Sequence, residues 1–156
     1  MIEQIVLFFN IEMIYLWLNF GVIPFWFVLI FFPNSKISGL FVTSIFPILI
    51  LSSVCIYLLY SFFMSGFDFD NNFVLYFGFY DLAELFEKDE FLLLFWLHFV
   101  AINLFCGSWI VKDSQKFLIS KYVIFIPLIF TYFVGPLGIF IYWIIRIFYA
   151  KRISLI

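Results

Sequence analysis

The sequence predicts an all-α membrane protein, a polytopic bundle of four transmembrane helices with an amphipathic interfacial helix between the second and third. Three observations carry that expectation. Of the 156 residues, 67% are hydrophobic and only 12% are charged, with a mean hydropathy of +1.19. That leaves too little polar surface to cover a water-facing domain. Four apolar runs reach the roughly 20 residues a spanning helix needs: Met13 to Phe32, Leu40 to Phe63, Phe91 to Val111 and Tyr122 to Ile145. Polar or turn-forming clusters separate these runs.

The first run follows the acidic Glu3 and Glu12 rather than a basic segment and has no small-residue cleavage pattern after it, so it is expected to be a retained helix and not a signal peptide. Pro33-Asn34-Ser35-Lys36 ends it, and a second run follows at once. The middle connection, Met64 to Glu90, is longer. Its aromatic stretch from Phe67 to Phe79 reads as an interfacial belt or a docking surface. Its last part carries Leu82, Leu85 and Phe86 at i, i+3 and i+4, the spacing of an amphipathic helix lying on the interface. Lys112-Asp113-Ser114-Gln115-Lys116 is expected to end the third helix, and the fourth runs to Ile145. An even number of spans places both termini and the acidic loop on one side. Lys88, Arg146, Lys151 and Arg152 then oppose Lys36, Lys112, Lys116 and Lys121, and the positive-inside rule is tied. Residues 1–156 form one membrane domain without internal repeats.

Composition also excludes function classes. A net charge of -2 with 8 scattered Lys and Arg gives no basic stripe for nucleic acid. Cys55 and Cys106 lie in apolar runs, where a thiol packs as a small hydrophobe. No P-loop, GxGxxG turn or G-x-S-x-G elbow is present. His98 is the only histidine, so a poly-histidine metal centre within one chain is ruled out. A mixed site with Glu12, Asp81 or Glu84, or one shared between protomers, has no motif behind it, and neither metal nor cofactor is expected.

Polar residues inside apolar runs are the functional candidates, because hydrocarbon penalises them unless they are paired. His98 and Asn103 both fall in the third run. Five residues turn a helix by about 500°, so their side chains stand about 140° apart and are not a ready-made catalytic dyad. Each is either a site residue or interhelical glue. Pro24, Pro47, Pro127 and Pro136 sit in the other three runs, where each removes a backbone hydrogen bond and can kink its helix to open a cavity beside the third. Gly135 and Gly138 allow close backbone approach there. Arg146, Lys151 and Arg152 follow the fourth run, where cations complement the helix dipole and snorkel to headgroups. Asp81 and Glu84 form either a solvated face or the mouth of a cavity.

In order along the chain, Ile23-Pro24-Phe25-Trp26, Phe32-Pro33-Asn34, Tyr57-Leu58-Leu59-Tyr60, Trp96-Leu97-His98 with Asn103-Leu104-Phe105, and Gly135-Pro136-Leu137-Gly138 resemble the abscisic-acid-deficient-four family, also called neoxanthin-synthase-like, in a bacterial-type form. The similarity runs from about Gly21 to Arg146. It implies a small four-helix membrane protein, required in plant plastid membranes for converting violaxanthin to neoxanthin, with bacterial relatives of mostly unassigned activity. That conversion is redox neutral and needs an acid at an epoxide oxygen and a base at a C–H proton, without metal or nucleotide. The family pattern W-x-H-x-x-x-x-D-L-F has Asp where this chain has Asn103, and an amide cannot serve as acid or base.

The expected function is therefore that of an enzyme or enzyme subunit acting on a carotenoid or related isoprenoid in a bacterial inner or organellar membrane. His98 would be the acid/base, assisted by Asp81 or Glu84, with Asn103 orienting the substrate and Pro24, Trp26, Gly135, Pro136 and Gly138 shaping the cavity. Oxidative carotenoid cleavage, and a non-catalytic pigment carrier or assembly subunit, are the alternatives. Membrane lipid, an isoprenoid ligand, and a second copy or another membrane protein are the partners compatible with the sequence.

Overall fold

A computed structural model describes residues 10–64, 66 and 78–153. Within them the chain is helical throughout: six α-helices and one π-helical turn, with no strand. Glu3 and the aromatic stretch 67–77 lie outside the described residues. Three segments, Ile11–Phe31, Ser38–Met64 and Asp89–Lys116, are long and apolar enough to cross a membrane.

Helix α1 (Ile11–Phe31) starts at Asn10, whose side-chain oxygen accepts a hydrogen bond from the Met13 N–H at 2.7 Å and so satisfies one orphan donor of the first turn. The π-helical turn Ser38–Val42 leads into α2 (Phe46–Met64). Helix α3 (Phe79–Phe86) is short and amphipathic, with Leu85 buried and Phe86 edge-on to Phe91 and Phe95 of the next helix. Helix α4 (Asp89–Lys116) is the longest, at 28 residues. Helices α5 (Lys121–Phe133) and α6 (Gly135–Ile153) complete the fold.

The core sits where Leu18, Trp26 and Leu29 of α1 meet Leu97, Leu104 and Ile110 of α4, with Ile124 and Leu128 of α5 closing it. Apolar side chains such as Phe20, Ile56, Phe63 and Phe105 also cover the outward faces, as suits helices that meet protein on one side and lipid on the other. Side-chain contacts fix the directions. Tyr15 meets Trp96 and Gln115 Nε2 donates to the Pro33 carbonyl, so α1 and α4 run parallel. The intervening α2 runs back from Val42, whose carbonyl accepts from Ser108 Oγ at 3.2 Å.

The structure corrects the sequence reading in its last third. Helix α4 does not end at Lys112: it continues through Lys116 and closes in a Schellman motif, with Ile119 N–H bonded to Ser114 O and Leu118 N–H to Gln115 O. The residue in the left-handed position is Leu118, at φ 51°, where glycine is usual, and this is why the sequence carries no stop signal there.

The single span expected over Tyr122 to Ile145 is instead two antiparallel helices broken at Val134. Helix α5 runs back along α4 until Tyr132 reaches Asn103, and α6 then returns until Tyr142 and Arg146 meet Asp113. The C-terminal end of α6 therefore lies at the same end of the molecule as Lys36, Lys112, Lys116 and Lys121, not opposite them. Pro136 and Pro47 sit in the first turns of α6 and α2, where a missing N–H costs nothing; only Pro24 and Pro127 lie inside helices.

Close packing of the hairpin depends on Gly138. A Cβ there would stand 2.6 Å from the Pro127 carbonyl oxygen and would also strike Thr131. Gly138→Val should lower stability by about 1–3 kcal/mol through overpacking, whereas Gly21→Ala, with nothing within 4 Å of the added methyl, should be neutral or slightly stabilising. Leu118→Gly should raise stability by about 1 kcal/mol by removing left-handed strain. Thermal unfolding of the purified variants in one detergent measures all three.

Candidate functional site

The parallel pair α1 and α4 encloses a groove that begins among carboxylates and ends among amides. At its mouth Glu12, Tyr15 and Leu16 face Asp89, Leu92 and Trp96 around a cavity of about 540 Å³. One to two turns further, Asn19, Val22 and Trp26 face Trp96, Phe99 and Asn103 around a smaller one of about 200 Å³, closed by Tyr132 and Phe133 at the hairpin tip. Trp96 borders both cavities. From Glu12 to Trp26 the groove follows roughly 21 Å of helix.

Two amides stand at the inner end, and an indole N–H belongs to the wall that both cavities share. Asn103 is 3% exposed, and its Nδ2 donates to the Tyr132 carbonyl at 3.4 Å. Asn19 donates to the Tyr15 carbonyl at 2.7 Å, one turn back on its own helix. The Trp96 indole N–H is buried without a hydrogen-bond partner, although its ring is held by Tyr15 and Phe99 at centroid distances of 5.7 and 5.4 Å. A buried donor left unpaired costs free energy that an acceptor would recover. Trp26 has room because Gly107 faces it: a Cβ at position 107 would lie 2.7 Å from the indole.

The structure separates the residues singled out in the sequence. His98 is exposed on the outer face of α4, along with Phe95, Ile102 and Phe105, while Asn103 points inward. Asp81 and Glu84 are exposed on α3, and the carboxylates at the groove mouth are Glu12 and Asp89. Pro24 and Pro136 are exposed on outward faces. Gly135 is buried against the Asn103 side chain, which fills the space a Cβ would take. Of the expected set, Asn103 and Trp26 line the inner cavity, and Gly135 and Gly138 build the hairpin that closes it.

A second large cavity, about 410 Å³, opens between α1 and α2 from Trp17 and Gly21 to Pro47 and Tyr57. Among the described residues no three His, Cys, Asp or Glu side chains converge as a metal would require.

Sequence reasoning missed the charge cluster that ties α6 to α4. Asp113 Oδ2 accepts from Tyr142 Oη at 2.9 Å and pairs with Arg146 Nε at 2.7 Å. Tyr142 is fully buried, edge-on to Trp109, and the guanidinium lies 4.5 Å from the Phe117 ring centroid. Arg146 was expected to snorkel to headgroups; instead it turns inward to Asp113. Tyr142 and Arg146, one turn apart, were the available signal, but it needed the hairpin to bring them to Asp113. Asp113→Leu should destabilise by less than the ~3–5 kcal/mol of a fully buried pair, because the Arg146 side chain is 36% exposed. Adding Arg146→Met should recover part of that loss, a coupling that a double-mutant cycle of thermal unfolding detects.

No curated protein and no solved structure is significantly similar to the chain. A match to a protein family covers residues 13–142, from the first turn of α1 to the tyrosine that bonds Asp113. Covering most of the chain, including the inner cavity, α5 and the first part of α6, it shows that the chain belongs to the ABA DEFICIENT 4-like family.

Proposed function

We propose that the chain is a multi-pass membrane protein that holds a carotenoid or related isoprenoid in the α1–α4 groove and acts on it by redox-neutral acid/base chemistry. In this reading α1, α2 and α4 cross the bilayer, α3 lies at the interface, and the α5–α6 hairpin enters and leaves on one face. The observation that carries the proposal is the groove itself. Its walls are aliphatic and aromatic from Leu16 to Phe133, its inner end offers the Asn19 and Asn103 amides, and the Trp96 indole, with its unpaired N–H, forms the wall that both cavities share. An amphipathic polyene with an oxygenated ring suits that arrangement, because apolar walls take the chain and a few placed polar groups fix one oxygen. The neoxanthin connection of the family supports the carotenoid class.

Proton transfer needs a titratable group within reach of the ligand, and Glu12 and Asp89 are the carboxylates bordering the groove. The reading with His98 as acid/base places the reacting end of the ligand on the outer face of α4 instead. A non-catalytic carrier is the second reading, favoured by the fact that the inner end holds hydrogen-bonding groups but no carboxylate or imidazole.

Expression in a host making defined carotenoids, with pigments compared by chromatography and absorption spectra, tests the proposal. A new product is expected from the wild type, reduced in Trp96→Phe, abolished in Glu12→Gln and retained in His98→Ala. Loss in His98→Ala alone would move the chemistry to the outer face. Pigment that co-purifies unaltered would favour the carrier, and unchanged profiles with no bound pigment would overturn the isoprenoid reading.

A further inference from the structure

We infer that the lysine-bearing end of the molecule is a docking surface for anionic lipid headgroups, and that it sets the chain's orientation, with this end toward the cytoplasmic leaflet and the groove mouth facing away from it. The inference rests on the membrane-spanning reading above and adds the direction that reading lacks. The return of α6 along α5 decides it. Because Tyr142 and Arg146 reach Asp113, the end of α6 joins the turn after α1, the end of α4 and the start of α5 at one pole.

That pole presents Lys36, Lys112, Lys116 and Lys121, all exposed and drawn from three separate parts of the chain. Its one carboxylate among the described residues, Asp113, is engaged by Tyr142 and Arg146. The sequence positions of Lys151 and Arg152 fall in the last turn of α6, toward the same end. The opposite pole carries Glu12, Asp81, Glu84, Glu87, Asp89 and Glu90, with Lys88 as its basic residue. A continuous fourth span would have balanced the two ends; the hairpin makes the molecule electrostatically two-sided. Lysines near the membrane surface are attracted by the negative potential of the cytoplasmic leaflet and bias orientation toward it, whereas Asp and Glu contribute little.

The test is site-directed labelling of the full chain in bacterial cells, in a Cys55→Ala/Cys106→Ala background. Single cysteines are placed as Glu84→Cys at the acidic pole and as Asn34→Cys or Ser120→Cys at the basic one, and a membrane-impermeant maleimide is added to spheroplasts. Position 84 is expected to label from outside, and positions 34 and 120 only after permeabilisation. The reverse pattern, or equal labelling of both poles, overturns the inference. Release of the protein by alkaline extraction would instead mean that the spanning reading itself fails. Changing Lys36, Lys112, Lys116 and Lys121 together to Gln is expected to weaken the asymmetry, Lys151 and Arg152 remaining at that end; full asymmetry in that variant overturns the role given to these lysines. The purified wild type should also gain thermal stability from added phosphatidylglycerol but not phosphatidylcholine, a gain lost in the Gln variant. Equal effects of the two lipids would overturn the headgroup preference.

Discussion

A helix that breaks inside an apolar molecule exposes carbonyls on one side of the break and N–H groups on the other, and in hydrocarbon neither can turn to water. The break at Val134 is tolerable because it is nearly self-capping. The Val134 N–H donates to the Phe130 carbonyl at 2.7 Å, and the Val134 carbonyl accepts from Leu137 and Gly138 at 3.1 and 3.2 Å. Pro136 has no N–H to satisfy. Tyr132 O is supplied from outside the hairpin, by Asn103. Thus one buried amide on the longest helix sits against the tip, with Gly135 packed on its side chain. The site follows from that contact. Tyr132 and Phe133 close the groove, and α6 is aimed back toward Asp113.

The cluster at Asp113 is the second anchor, about 10 residues or roughly 15 Å further along α4. A carboxylate there would be expensive if left alone, but Tyr142, Arg146 and the Phe117 ring meet it together. Removing a charged pair by a well-packed apolar one often leaves stability unchanged, so the pair is better understood as specifying register. It matches one face of α6 to one position of α4, a contact that a straight continuation of α5 could not make.

What could be read from the sequence divides along the same line. Apolar runs announce helices by length and composition, and so α1, α2 and most of α4 were legible within a few residues. Leu82, Leu85 and Phe86 showed α3 by their spacing. The hairpin was not legible, because Tyr122 to Ile145 is as uniformly apolar as a span and hydropathy does not see a one-residue interruption. Pro136 was visible but ambiguous: a proline bends a helix from its interior and begins one from its first turn. The end of α4 was missed for a different reason. Leu118 occupies a position where sequence reading looks for glycine, and Asp113 and Ser114 looked like loop residues although they are buried. Around the groove, the angular argument from helical geometry separated His98 from Asn103, but only the packing of α1 and α4 could identify Glu12, Asn19 and Trp96 as lining it.

Asn103 deserves its own chemistry. The side chain at this position must donate to Tyr132 O, and an amide does so at every pH. An aspartate in the same surroundings would face that carbonyl with a lone pair unless it were protonated, and burial favours the neutral acid that could donate in turn. The Asn in this chain and an Asp at the same place in the family pattern can therefore meet one structural demand, but only the acid can also exchange a proton with a ligand in the groove. In this chain no carboxylate or imidazole stands at the inner end to do so. The amide can still orient an oxygen beside Trp96, and a proton from a carboxylate or an imidazole must come from the mouth, where Glu12 and Asp89 stand, or from the outer face, where His98 does. Catalysis by this chain would accordingly be displaced along the groove from the point where the hairpin tip is held.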